Sequence, residues 1–178
     1  MGVFFTADTH FGHGGARALY RRPFPTTAAA DAAMVERWNA TVGAEDDVWH
    51  LGDFAVGLRQ PAAAALLASL HGRKHLVTGN NDPAWLGALP GWASVQPYAE
   101  LELEGTGLVL CHYAFRSWRN MGRGWLNLHG HSHGRLKPLT RQVDVGVDVW
   151  DFRPVVLAAI RAAKRRGGGL SPAARPAG

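Results

Sequence analysis

The chain has 178 residues, 47% of them hydrophobic and 19% charged, with a formal net charge of +5. That length and balance fit one domain with a sizeable core and exclude a fibrous or largely disordered chain; no apolar run reaches the ~20 residues of a membrane span, and Met1–Thr6 lacks the basic region and apolar core of a signal peptide. Six of the 19 basic residues and none of the 14 acidic ones lie in 153–178, so residues 1–152 carry 13 basic against 14 acidic, a net of −1, and a chain-wide nucleic-acid surface is not indicated.

In chain order, Val3 to Ala7 is an apolar run that reads as a first strand, and Gly2 with Thr6 matches a loose myristoylation pattern that a buried first strand overrides. His10 to Gly15 is a glycine-rich loop and Arg21 to Pro25 a turn. Thr26 or Thr27 caps a predicted helix to about Asn39, with Met34, Val35 and Trp38 at helical spacing. Val48 to Leu51 is a second strand. Pro61 opens a second helix through Leu70, with Leu66, Leu67 and Leu70 inward. His75 to Thr78 is a third strand. The order β-α-β-α-β argues for parallel strands with crossover helices.

The second half changes character. Glu100 to Glu104 alternates with period two, a half-exposed strand whose glutamates are its wet face. Gly105 to Gly107 turns the chain, and Leu108 to Cys111, Trp125 to His129 and Gln142 to Val147 read as further strands. A second, partly antiparallel sheet packed face to face with the first is expected, giving an α/β sandwich of two sheets flanked by helices. Pro154 to Arg166 reads as a final helix; Gly167-Gly168-Gly169 ends it, which divides the chain into a domain over 1–166 and a disordered tail over 167–178. Cys111, the single cysteine, excludes an internal disulfide, fits a reducing cytoplasm and reads as core beside His112.

Chemistry gathers where strands end. Leu51 runs into Gly52 and then Asp53, a carboxylate at the place where open α/β sheets keep their ligands. Four more strand ends deliver oxygen or imidazole groups: Asp8-Thr9-His10, Gly79-Asn80-Asn81-Asp82, Cys111-His112 and Gly130-His131-Ser132-His133. Asp8 and His10, two apart on what reads as an extended segment, would point the same way, and His131 and His133 repeat the spacing. Asp, Asn and His without a Cys pair suit hard-to-borderline divalent ions, and seven ligands on five strand ends are enough for two ions with Asp53 between them.

This ordered set resembles the calcineurin-like metallophosphoesterases over roughly residues 3–155. The segment Thr6-Ala7-Asp8-Thr9-His10-Phe11-Gly12-His13, with Arg22-Pro23-Phe24 and Trp38-Asn39, is similar to the small prokaryotic and phage branch of that superfamily. The resemblance implies a sandwich of two mixed sheets flanked by helices. It also implies one ion held by Asp8, His10 and His133, another held by Asn80, His112 and His131, and Asp53 bridging them. The ions would be Mn²⁺ first, with Fe²⁺, Zn²⁺, Mg²⁺ or Ni²⁺ as alternatives. A hydroxide between them would attack phosphorus in a phosphodiester or activated phosphomonoester.

One position departs from the family. Its motif often reads Gly-Asn-His, the histidine serving as acid or phosphoryl contact, but here Asn81 follows Asn80. An amide can donate a hydrogen bond but cannot deliver a proton, so esters with poor leaving groups should turn over slowly unless His13 or a water supplies the acid. Arg116, Arg119 and Arg123 follow His112 in a loop where an arginine over an anionic substrate is chemically attractive; Arg116 is the candidate. His50, His71, His75 and His129 read as structural. The expected partner is a small phosphorylated substrate, with no membrane, and the oligomeric state is open. Two other readings stand beside this one: a nuclease or nucleotide pyrophosphatase of the same fold, and, in a different class, a metal-free binding scaffold, which would not need all seven ligands.

Overall fold

The strands are short apolar or β-branched runs cut off by glycines and polar clusters, which fixes their length and leaves their ends free to carry chemistry. In the computed structural model, which describes residues 1–137 and 139–165, β1 (Val3–Thr6), β2 (Asp47–His50), β3 (Arg73–Val77) and β4 (Trp92–Gln96) form a parallel sheet in the order β4-β3-β2-β1. A two-residue strand, Val155–Val156, closes the β1 edge in the antiparallel sense. The crossovers carry α1 (Ala16–Leu19), α2 (Thr27–Thr41), α3 (Gln60–Ser69) and α4 (Ala84–Gly87). At the start of α2 the Thr26 hydroxyl accepts from the Ala29 amide, satisfying one donor that a helix start leaves unpaired. Met34 and Trp38 of α2 and Leu67 of α3 are buried against Val48 and Leu76 of the sheet.

The second sheet runs β5 (Tyr98–Leu103), β6 (Thr106–Cys111), β7 (Leu126–His129) and β8 (Gln142–Asp144), antiparallel at the β5–β6 hairpin and parallel from β6 to β8. Phe5, Leu51 and Val77 from one sheet meet Leu108, Leu110 and Leu128 from the other in a single core, sealed by Leu157 and Ile160 of α5 (Leu157–Arg165). The sheets join at the ends of β1 and β8, where Ala7 bridges Gly146 and the Val147 amide donates to the Ala7 carbonyl. The carboxyl ends of β1, β2, β3, β6 and β7 thus converge on one rim.

The two mixed sheets and their flanking helices are as expected, but several elements differ. Neither β4 nor the Val155–Val156 strand was anticipated: the first mixes polar and apolar residues on a sheet edge, and the second abuts a helical pattern. The last helix begins at Leu157 rather than Pro154, because Val155 and Val156 pair with Phe5 and Phe4. The strand expected over 142–147 stops at Asp144, and α1 and α4 are single turns not read from sequence. The domain end at Arg166 and the expected tail from 167 to 178 lie outside the described residues. No helix among the described residues is long and apolar enough to cross a membrane.

The inter-sheet core is one of two large apolar clusters, so Leu110→Ala, at a fully buried position paired with Ala99 and Leu128 on the neighbouring strands, should lower stability by about 2–5 kcal/mol. The check is the urea unfolding midpoint at unchanged slope.

Candidate metal centre

The strand ends do not simply continue as extended chain. Asp8, His10, Asp53, His131 and His133 all take left-handed backbone, with φ of 58°, 50°, 59°, 65° and 48°. For residues with a Cβ this costs about 1–2 kcal/mol each, and it turns the side chains sharply inward. The sequence argument that Asp8 and His10 point the same way because they are two apart on a strand is therefore corrected. They converge because both are bent back. His131 and His133 do not share a direction at all: the His133 ring lies 5.2 Å from that of His10, the His131 ring 5.1 Å from that of His112. Glycines let the loops close in. A Cβ on Gly79 would sit 2.3 Å from Asp53 Oδ1, and one on Gly130 would sit 2.7 Å from Asp8 Oδ2.

Two groups of ligand atoms result. In Asp8, His10 and His133, one ligand atom from each lies within 4.8 Å of the others, and the same holds for Asp8, Asp53 and His112. One Asp53 oxygen, Oδ2, stands 3.5 Å from His10 Nε2 and 3.6 Å from His112 Nε2, between the groups. Asn80 Oδ1 is 3.0 Å from His112 Nε2. His131 belongs to neither group: its exposed ring lies 5.1 Å from that of His112, and its backbone amide donates to both oxygens of Asp8.

A second layer of residues orients these ligands. His112 Nδ1 lies 2.8 Å from the Leu51 carbonyl and His133 Nδ1 lies 2.7 Å from Asp148, so in each ring Nδ1–H donates and Nε2 is left for the site. Asp148 is itself held by Arg22 through Nε and Nη2 at 2.8 and 3.0 Å. The same guanidinium donates to the carbonyls of Asp8 and Thr9, so one buried cation fixes the bent segment around Asp8 and, through Asp148, His133. Asp82 accepts from the amides of Asp53, Phe54 and Gly79 and clamps two ligand loops together. Behind them the Thr9 hydroxyl donates to the Phe54 carbonyl and therefore accepts from His50 Nε2–H at 2.9 Å.

The electrostatics call for cations. Burial, then Asp144, Asp53 and Asp148, push the Asp8 carboxyl well above its usual range. Burial also lowers His10 to about 3, so its ring is neutral, and both of its nitrogens are buried without a hydrogen-bond partner. At Asp53 burial acts upward but is outweighed by the Asn81 hydrogen bonds and the two histidines, which hold the carboxyl below its usual range. With Nδ1–H donating to the Leu51 carbonyl, a neutral His112 turns the Nε2 lone pair toward Asn80 Oδ1 at 3.0 Å, two acceptors facing each other. Orphaned imidazole nitrogens, converging lone pairs and crowded carboxylates fit divalent cations and fit little else.

The structure thus brings together Asp8, His10, Asp53, Asn80, His112, His131 and His133. Asn81 adjoins them, but its side-chain amide donates to Asp53 Oδ2 at 2.7 Å and its backbone amide to Oδ1 at 2.8 Å, so it steadies Asp53. His13 is one ring away, 5.6 Å from His10, with a buried unpaired Nδ1. Arg116 lies exposed on the β6–β7 loop, and among the described residues no hydrogen bond joins it to the ligands. Sequence reasoning quoted Arg22 and Asp82 within its motifs without giving either a role, and it missed Asp144 and Asp148. A signal was present for the latter two: Asp144-Val145-Gly146-Val147-Asp148 sets carboxylates around a glycine after apolar residues, as Leu51-Gly52-Asp53 does.

Comparison with known proteins follows the same lines. The model of the calcineurin-like phosphoesterase superfamily domain matches residues 1–149. The chain is 32% identical over 179 residues to the gene 66 protein of Mycobacterium phage D29, covering 83% of this chain and 88% of that one. To the gene 66 protein of Mycobacterium phage L5 it is 28% identical over 183 residues, covering 83% and 87%. Among solved structures, a protein of unknown function from Aquifex aeolicus shares the fold with a TM-score of 0.72 at 22% identity, over 90% of this chain and 97% of that one.

Arg22→Lys should destabilise the protein by about 1–3 kcal/mol, since an ammonium keeps the charge but cannot serve Asp148 bidentately and two carbonyls as well; urea unfolding of the two proteins checks it. His50, lowered to about 3 by burial, stays neutral in the native state while the unfolded chain protonates it near 6.5. Its contribution is therefore lost as pH falls from 6.5 toward 3. Between pH 7 and 5 this amounts to up to about 2 kcal/mol, and His50→Gln should flatten the pH dependence of the unfolding midpoint by that amount.

Proposed function

Since the chain belongs to the calcineurin-like phosphoesterase superfamily, we propose that it is a two-metal-dependent phosphoesterase acting on a phosphodiester or an activated phosphomonoester. The observation that carries this reading is the Asp53 carboxylate oxygen set between His10 and His112, at 3.5 and 3.6 Å, with orphaned or converging donors on both sides. Asp8, His10 and His133 would hold one divalent ion, Asn80, His112 and His131 the other, and Asp53 both. The chemistry such ions would supply is Lewis acidity toward the phosphoryl oxygens and activation of a water nucleophile.

The chain's own residues account for the rest. Arg22 and Asp148 keep the Asp8 segment and the His133 ring in register, so the ligands are organised before any substrate arrives. Asn81, engaged with Asp53, fixes the orientation of that carboxylate and has no proton to give a leaving group. His13 is the side chain closest in kind to a general acid, with an unpaired ring nitrogen beside His10. Good leaving groups, which need no acid, are the ones this site suits; Mn²⁺ is the ion to try first.

In Mn²⁺, bis-p-nitrophenyl phosphate should be hydrolysed faster than p-nitrophenyl phosphate, and Asp53→Asn should lose at least ~10²-fold in kcat/KM together with bound metal. Full activity in Asp53→Asn would remove the bridging assignment, and a protein that binds no divalent ion would favour a scaffold.

A further inference from the structure

The near-zero balance of residues 1–152 hides a polarity. Residues 9–30 and 105–143 hold nine basic side chains and no acidic one. They include the segments that leave β1, β6 and β7 at the ends bearing Asp8, His10, His112, His131 and His133. Arg21, Arg116, Arg135 and Lys137 are exposed on these segments, and among the described residues none is paired with a carboxylate, whereas Arg22, Arg37, Arg73, Arg119, Arg153 and Arg161 each are. The acids close to this rim are buried beneath it as Asp8, Asp53 and Asp148, or engaged, as Glu100 is with Arg119. Glu45, Asp46 and Glu104 sit at the opposite ends of the strands, before β2 and in the β5–β6 turn.

Aromatic rings interleave with this charge at the mouth of the site. Tyr113 is 46% exposed, its ring 4.9 Å from that of His131. On the other side Tyr20 stacks on His133 at 3.5 Å, and the Arg135 guanidinium lies 5.4 Å from the Tyr20 ring. A small ester needs neither a spread of unpaired cations nor an exposed ring beside the ligands. A polyanion with phosphates on both sides of the reacting one needs the first, and a base free of its stack uses the second.

We propose that this rim binds single-stranded nucleic acid, with Arg116, Arg135 and Lys137 on the phosphates flanking the scissile diester and Tyr113 as the platform for a neighbouring base. The assignment rests on the phosphoesterase reading above and names its substrate class. A duplex offers no free base face to Tyr113, which is why the single strand is the assigned form.

The test uses the whole protein and four probes: a dT 20-mer, a U 20-mer, a 20-base-pair duplex and bis-p-nitrophenyl phosphate. Binding of the 5′-labelled single strands, read by fluorescence anisotropy in EDTA, should weaken about 20-fold from 50 to 200 mM salt if about three phosphates are neutralised. With Mn²⁺ the single strands should be cut in preference to the duplex, and whichever of DNA or RNA is cut faster identifies the sugar. In Arg135→Glu/Lys137→Glu and in Tyr113→Ala, kcat/KM for the single strands should fall at least tenfold further than for bis-p-nitrophenyl phosphate. Hydrolysis of the small diester without cleavage of any oligonucleotide, or single-strand binding indifferent to salt, would overturn the nucleic-acid assignment and leave the phosphoesterase reading standing. Cleavage of the duplex as fast as the single strands would overturn the role of Tyr113. Loss of every hydrolysis, with salt-dependent binding intact, would instead overturn the phosphoesterase reading.

Discussion

Crowding of like-signed and lone-pair-bearing groups is the constraint that shapes this protein. Asp8, Asp53, Asp144 and Asp148 come together at the seam of two sheets, with His10 and His112 buried among them. Two unit charges ~4 Å apart interact by ~4 kcal/mol at the effective dielectric of a protein surface, more in a drier site. Among the described residues the one buried guanidinium, Arg22, answers Asp148 and leaves Asp8 and Asp53 to one another. An arrangement so unfavourable on its own is explained by what it attracts. Divalent cations would convert each repulsion into coordination, and the imidazole nitrogens without hydrogen-bond partners would become ligands.

The rest of the fold serves that concentration. Two sheets supply five parallel strand ends at one rim, and their shared apolar core holds the rim rigid. Left-handed backbone at five ligand positions is strain held at a functional place, fixed from outside by Arg22 on two carbonyls and by Asp82 on three amides. The glycines facing the site permit the approach: side chains at Gly79 or Gly130 would collide with Asp53 or Asp8. Around this floor the loops carry exposed cations and aromatics, so the acidic centre sits inside a basic frame.

Much of this was legible in the sequence, for local reasons. Apolar runs ending in Gly52-Asp53, Gly79-Asn80 and Gly130-His131 mark both the strand and the place where it delivers a side chain to the rim, because periodicity and glycine are local signals. The bent backbone at Asp8 and His10 was not legible, since a left-handed φ at such residues is set by tertiary hydrogen bonds rather than by neighbours in sequence. Arg22 and Asp148 are 126 residues apart, and no local pattern announces that they meet. The edge strand Trp92–Gln96 escaped notice because it exposes Ala93 and Val95 and half-buries Ser94 and Gln96, the reverse of an apolar-inward alternation, and Val155–Val156 because two residues carry no period. The overall charge misled in the opposite way: a sum near zero averaged a buried acidic floor with an exposed basic rim.

The account turns on the number and place of the cations. Anomalous diffraction at the manganese edge, from crystals grown with Mn²⁺, measures both at once. Two peaks are predicted, one among Asp8, His10 and His133 and one among Asn80, His112 and His131, with Asp53 between. A single peak, or two that leave Asp53 unshared, would contradict it.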